Sequence, residues 1–250
     1  MSAGELVFLA IAGFLAGMVN GVAGGGSMVS FPALLALGVP SLAANVTSTV
    51  GIWPGYLGGA AGFRRRLAGQ RDLLRELAPA ALVGALVGSG LLLITSQDEF
   101  DALAPWLVLV ACALFAAQPA LARRLAAAGP ASRNWRVLRD GGVLLGSVYG
   151  AYFGAGLGVL LLAVLGITVA EALTDLNAVR TVLALLVNSI AVVVFAVAAP
   201  VVWSAAGTMA AASLAGGYVG ARTAARMPVP VFRAVVLVLG LAAAIGLFVR

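Results

Sequence analysis

Histidine and lysine are absent from the 250 residues, cysteine occurs once, and only 10% of positions are charged. Each shortage closes off a class of function. With no histidine and only Cys112, neither a histidine nor a multi-cysteine metal site can be built, and no disulfide can form within one chain. The nine acidic residues include no pair in the middle of an apolar segment, so the usual proton-transfer sets of an enzyme are missing. No cofactor is implied, and no ATP-binding motif occurs. The stretch GAGLG at 154–158 has dinucleotide-fingerprint spacing, but no strand precedes it, so the match carries no weight. Nucleic acid is not expected as a partner despite a pI of 10.7. All fifteen basic residues are arginines, and nearly all sit in short stretches between apolar runs, where they serve topology better than phosphate binding.

What remains is apolar. Hydrophobic residues make up 62% of the chain and the mean hydropathy is +1.10, whereas a soluble domain carries roughly 25% charged residues. Apolar runs fall at about 5–23, 27–39, 42–62, 74–95 and 102–122, and again at about 138–155, 157–170, 173–198, 200–221 and 231–249. Most approach the ~20 residues a spanning helix needs, but the second of each set is far too short. The pattern predicts an all-α, polytopic transmembrane bundle in the cell (inner or plasma) membrane, with the lipid bilayer as its surroundings. The N-terminal MSAGELVFLA lacks a basic leader, so the first segment is expected to be retained.

The two sets of five look like copies. GFLAGMVNGVAGGG from Gly13 aligns with GSVYGAYFGAGLG from Gly146, placing Gly13, Gly17, Gly21 and Gly25 over Gly146, Gly150, Gly154 and Gly158, and Asn45 falls over Asn177 at nearly the same offset. Arg64, Arg65, Arg66, Arg71 and Arg75 assign the loop between the third and fourth segments to the cytoplasm, and Arg123, Arg124, Arg133, Arg136 and Arg139 do so for the centre. The loop with Asp98, Glu99 and Asp101 fits the outside. In the second half, Arg222, Arg226 and Arg233 follow the fourth segment, so equivalent loops lie on opposite sides. This predicts two inverted repeats, residues 1–125 and 140–250, joined by a cytoplasmic loop at 126–139, with both termini external and Arg250 on the unfavoured side. Inverted repeats with glycine-interrupted short segments are a transporter architecture with its site at the repeat interface.

Several residues are candidates to line that site. Gly24, Gly25, Gly26 and Ser27 would offer backbone N–H groups and a hydroxyl at a helix N-terminus, which favours a small oxyanion. Gly154, Gly156 and Gly158 would do the same from the opposite side. The spaced glycines of GxxxG type, Gly13 to Gly21 and Gly146 to Gly154, also suit close helix packing. Arg180 lies inside a run of about 25 apolar residues, and such charges usually face the bundle interior. Asn177 is one turn earlier on the same face. The alternatives for Arg180 are snorkelling to the interface or pairing with Asp175 or Glu171. The uncharged equivalents are Asn45, Thr47 and Ser48, with Thr49 beside them, although such hydroxyls also bond to their own helix carbonyls. Trp53, Tyr56, Tyr149, Tyr152 and Phe153 read as interfacial or packing aromatics, with cavity lining as the alternative. Pro32 and Pro54 read as helix starts or kinks.

These motifs resemble the sulfite exporter TauE/SafE family over nearly the whole chain. The first half, with GGG, then PALL and AANVTST, is similar to that family's first repeat. The second, with GSVYGAYFGAGLG and NAVR, is similar to its second. The resemblance carries the family's motif positions onto Gly24, Gly25, Gly26, Pro32, Gly154, Gly156, Gly158, Asn177 and Arg180. Asn20, where related sequences often carry an acidic residue, and Leu157 depart from the pattern. It implies a membrane transporter for a small sulfur-containing anion, such as sulfite or an organosulfonate, acting as a secondary carrier. An anion channel lined by the same motifs is the alternative, and a homo-oligomer stays open. Ion coupling would fall to Asp140, Glu171 or Asp175.

Overall fold

Which stretches become helices follows the apolar runs closely. The computed structural model describes residues 1–22, 24–127, 136–223 and 229–248, and among these it contains ten α-helices. They are α1 (Ala3–Val22), α2 (Ser27–Ala36), α3 (Ser41–Leu67), α4 (Arg71–Ile94), α5 (Gln97–Ala127), α6 (Arg136–Tyr152), α7 (Leu157–Thr168), α8 (Leu173–Ala198), α9 (Trp203–Thr223) and α10 (Val229–Phe248). Four of them, α1, α4, α8 and residues 97–117 of α5, are long and apolar enough to cross a membrane. The second helix of each set is short, with 10 residues in α2 and 12 in α7.

Helix ends extend into polar flanks for local reasons. Ser96 and Glu99 form a reciprocal cap, with the Ser96 N–H donating to Glu99 Oε2 at 2.8 Å and the Glu99 N–H to Ser96 Oγ at 3.3 Å. The acidic residues read as a loop therefore lie in the first turn of α5. Arg64, Arg65 and Arg66 complete the last turn of α3, where cations complement the exposed carbonyls. Pro32 and Pro54 sit inside α2 and α3 rather than at their starts. Helix α5 continues to Ala127 and α6 begins at Arg136, so both reach into the stretch read as a connecting loop. Arg133, Arg226 and Arg250 lie outside the described residues, as do the side chains of Arg123, Arg124 and Arg233.

Helix directions follow from the pairings. Gly13 of α1 meets Met209 of α9, and Gly21 meets Ala221; Gly51 and Gly62 of α3 meet the same two residues. Helices α1, α3 and α9 are therefore parallel. Glu76 and Arg139 join the starts of α4 and α6 at 3.0 Å, while Thr95 and Tyr152 join their ends at 3.2 Å. Arg66 at the end of α3 meets Asp175 at the start of α8, and Asn45 near the start of α3 meets Tyr152 at the end of α6. Helices α4, α6 and α8 thus run together, opposite to the first group. Every described arginine side chain except Arg180 lies at one end of the bundle.

Packing repeats under exchange of the halves. Helix α1 packs on α9 as α6 packs on α4, α3 on α9 as α8 on α4, and α2 on α10 as α7 on α5, while α3 meets α8 and α5 meets α10. The most extensive contacts join helices from different halves. Small residues make them: a side chain at Gly13 would come within 2.8 Å of the Met209 backbone, and one at Gly220 within 2.8 Å of Met18 Cα. In the second set the glycines sit on α4 instead, where a methyl at Gly84 would come within 3.1 Å of the Val148 nitrogen. Large exposed apolar side chains such as Val83, Leu86, Trp106, Val110 and Ile245 face outward from α4, α5 and α10.

Candidate functional site

The two glycine breaks turn the chain back on itself. Helix α1 starts beside α9, with Met1 against Ser204, and α2 ends only four residues before the start of α3, which the Thr47–Val202 contact places at that same end. Helix α2 therefore returns toward the end from which α1 came. Helices α6 and α7 do the same from the arginine end. Gly24 and Gly154 make the turns, with φ of +81° and +80°, in the left-handed region that L side chains rarely enter. By this geometry Gly154 occupies the place of Gly24. The sequence alignment had set it over Gly21, because glycines at helical packing spacing fit two registers.

The tips of the two hairpins touch. A Cβ at Gly158 would lie 2.6 Å from Gly24 Cα. Ser27 Oγ lies 3.2 Å and Thr49 Oγ1 3.7 Å from where a Gly154 Cβ would stand. Behind them, Phe31 of α2 packs edge-on against Phe153 with ring centroids 5.5 Å apart. The N-termini of α2 and α7 thus converge from opposite directions, each with partial positive charge on the N–H groups it leaves open.

Arg180 meets both tips. Its guanidinium Nη1 sits where side chains at Gly24 or Gly158 would have to go. Its residue is 1% exposed, so it does not snorkel. It also has no carboxylate partner among the described residues, for Asp175 is paired with Arg66 at 3.1 Å and Glu171 is exposed. Asp140 is held by Arg139 at 2.9 Å. The guanidinium donates through Nε to Asn177 Oδ1 and through Nη2 to the Asn20 carbonyl at 3.3 Å. Tyr56 of α3 turns its hydroxyl toward Arg180, Asn20 and Asn188. Yet among the described residues Asn20 Nδ2, in a residue 2% exposed, has no hydrogen-bond partner. A buried cation balanced only by neutral groups, next to an orphaned amide, is costly unless something negative visits.

The other sequence candidates divide. Ser48 joins the α2 side of the cluster through Ser30, with the two hydroxyls 2.6 Å apart. Asn45 braces the second hairpin, donating to the Tyr152 carbonyl at 2.9 Å. Thr47 points elsewhere: its hydroxyl accepts the Val202 N–H at 3.0 Å and fixes the approach to α9. Gly25 faces Phe115 and Gly156 faces Ala111, both on α5, so those positions pack against a helix instead of the guanidinium. Two expected donors are already engaged, since the Gly24 N–H bonds the Val19 carbonyl at 2.9 Å and the Gly26 N–H bonds Asn20 Oδ1 at 2.7 Å. Gly158 has no such bond among the described residues. Asn20, Tyr56 and Asn188 were not read as site residues. The signal was present in Asn177, Thr181 and Asn188, which lie four and seven residues apart on one helical face.

The sulfite exporter TauE/SafE profile matches residues 9–247. The chain belongs to the sulfite exporter TauE/SafE family. Its all-helical architecture among the described residues, with four helices long and apolar enough to cross a membrane, agrees with that family. Over 118 residues it is 34% identical to a protein from Sinorhizobium sp. named "Probable membrane transporter protein ORF9". That match covers 46% of this chain and 44% of the relative, so it spans less than half of either. Within this TauE/SafE chain the two glycine-rich stretches form the two hairpin tips.

Proposed function

We propose that this TauE/SafE member is a secondary carrier that moves a small sulfur-containing oxyanion, sulfite or an organosulfonate, through a site between the hairpin tips at Gly24 and Gly158. One observation carries the reading: Arg180 is buried, has no carboxylate partner among the described residues and touches both tips. Two helix N-termini aimed at the same point add to its field, and polar N–H and hydroxyl groups suit the oxygens of such an anion. Membership in a family of sulfite exporters supports the sulfur class.

Opposed directions of α1 and α6, α3 and α8, and α4 and α9 support an inverted duplication, residues 1–125 against 140–250 with 126–139 between them. The arginine end is then cytoplasmic, both termini are external, and the membrane is the cell's inner or plasma membrane. An inside-negative potential supplies about 2.3 kcal/mol per charge per 100 mV, enough to drive anion export without a coupled ion. None of the carboxylates proposed for coupling lines the site. Tips in van der Waals contact favour a carrier over an open channel.

Purified protein in vesicles, offered sulfite, sulfate, thiosulfate and short sulfonates, tests the reading. Flux of a sulfur anion that Arg180→Ala abolishes, in protein that still elutes as a folded species, is the expected result. Wild-type flux in that variant removes Arg180 from the site.

A further inference from the structure

The tip cluster contains one full charge, and this limits the valence of what it can hold. Among the described residues, the group facing the guanidinium from α1 is Asn20; from the tips, Gly24 and Gly158; from α8, Asn177; and from α3, Tyr56, the one titratable group there that interacts with it. All are uncharged at neutral pH, and no carboxylate pairs with Arg180 among the described residues. Attraction to a fixed positive site grows in proportion to the charge of the guest, whereas the cost of stripping water from that guest grows with its square. The guanidinium is the one full charge there. At the α2 and α7 ends the Gly26, Met28, Val29, Leu157 and Val159 N–H groups are already bonded, so the helix ends add only a fraction of a charge and the cluster compensates one negative charge well. A second negative charge quadruples the dehydration cost and only doubles the attraction.

We infer that the site selects monoanions, hydrogen sulfite or an alkanesulfonate, over the dianions sulfite and sulfate. This rests on the carrier reading above and refines it. The formal charges of guanidinium and guest then cancel, which is the arrangement that buried, uncharged walls tolerate best. The orphaned Asn20 amide supplies a donor to one of the oxygens without adding charge.

Vesicles containing the full chain separate the outcomes. Methanesulfonate has no proton to lose near neutrality and serves as the fixed monoanion; sulfate serves as the fixed dianion; sulfite changes between the two. The expected result is methanesulfonate flux that is flat from about pH 6 to about pH 8, and sulfite flux that falls about tenfold per pH unit once its monoanion becomes the minor form. Sulfate in excess should leave methanesulfonate flux unchanged. Arg180→Lys, which keeps the charge and loses the fork, should lower flux while keeping the same order of substrates. Sulfate moved or competing as well as methanesulfonate overturns the valence rule and leaves the carrier reading intact. Sulfite flux that rises with pH does the same. No flux of any sulfur anion overturns both.

Discussion

Helices α3 and α8 carry the same polar stripe in two versions. Asn45, Ser48, Thr49 and Tyr56 on α3 have the spacing of Asn177, Arg180, Thr181 and Asn188 on α8. The threonines behave alike, each donating to the carbonyl of its asparagine, at 3.0 Å from Thr49 and 2.8 Å from Thr181. The asparagines do not: Asn45 supports the opposite hairpin through Tyr152, while Asn177 holds the guanidinium. The decisive difference is Ser48 against Arg180. A hydroxyl there ties α3 to Ser30 of the neighbouring short helix; a guanidinium crosses to both tips. Duplication supplies a nearly symmetric cradle, and one unmatched position gives it a sign.

That contrast can be broken in order of severity. Exchanging Arg180 for alanine should cost on the order of 100-fold in flux, the scale of losing a preorganised charge. Ser48→Ala should leave flux within a few-fold and remove only the bond to Ser30, about 1 kcal/mol in thermal unfolding. Next come the tips. Gly24→Ala or Gly158→Ala places a methyl against the guanidinium and the facing backbone, and should lower stability by about 1–3 kcal/mol or shut off transport at normal yield. Gly38→Ala is the control: φ is also positive, at +78°, but nothing lies within 4 Å, so only the left-handed penalty of about 1–2 kcal/mol remains and flux persists. Smallest in function is Thr47→Val, which leaves the Val202 N–H without its acceptor. It should cost about 1–3 kcal/mol of stability without changing the order of anions transported. A shift in that order would bring Thr47 back into the site.

The short second helices, the all-helical bundle and the buried arginine were legible because each depends on local properties: run length, hydropathy, and the cost of a charge among apolar neighbours. Which glycine amides stay open was not legible. Asn20 engages Gly26 from six residues away across a turn whose shape is set by its contacts. Nor could sequence show that Gly25 and Gly156 face α5, since Phe115 and Ala111 come from a helix roughly 90 and 45 residues distant along the chain. Tyr56 read as a packing aromatic because its ring is apolar; only the arrival of α8 gives its hydroxyl a purpose. The bond from the Val202 N–H to Thr47 was hidden for a similar reason, as Val202 lies outside any motif.

The crossing of helices between halves sets an order of assembly. Helices α1 and α3 press their glycine faces onto α9, which is made more than 130 residues after α3 ends. At ~5–20 residues per second, these faces wait on the order of ten seconds with no mate. Glycine and alanine, nearly featureless to lipid, are surfaces that can wait without sticking to the wrong neighbour. A ribosome stalled after α5 would leave a fragment that can enter the bilayer but has no partner for its own flattest sides.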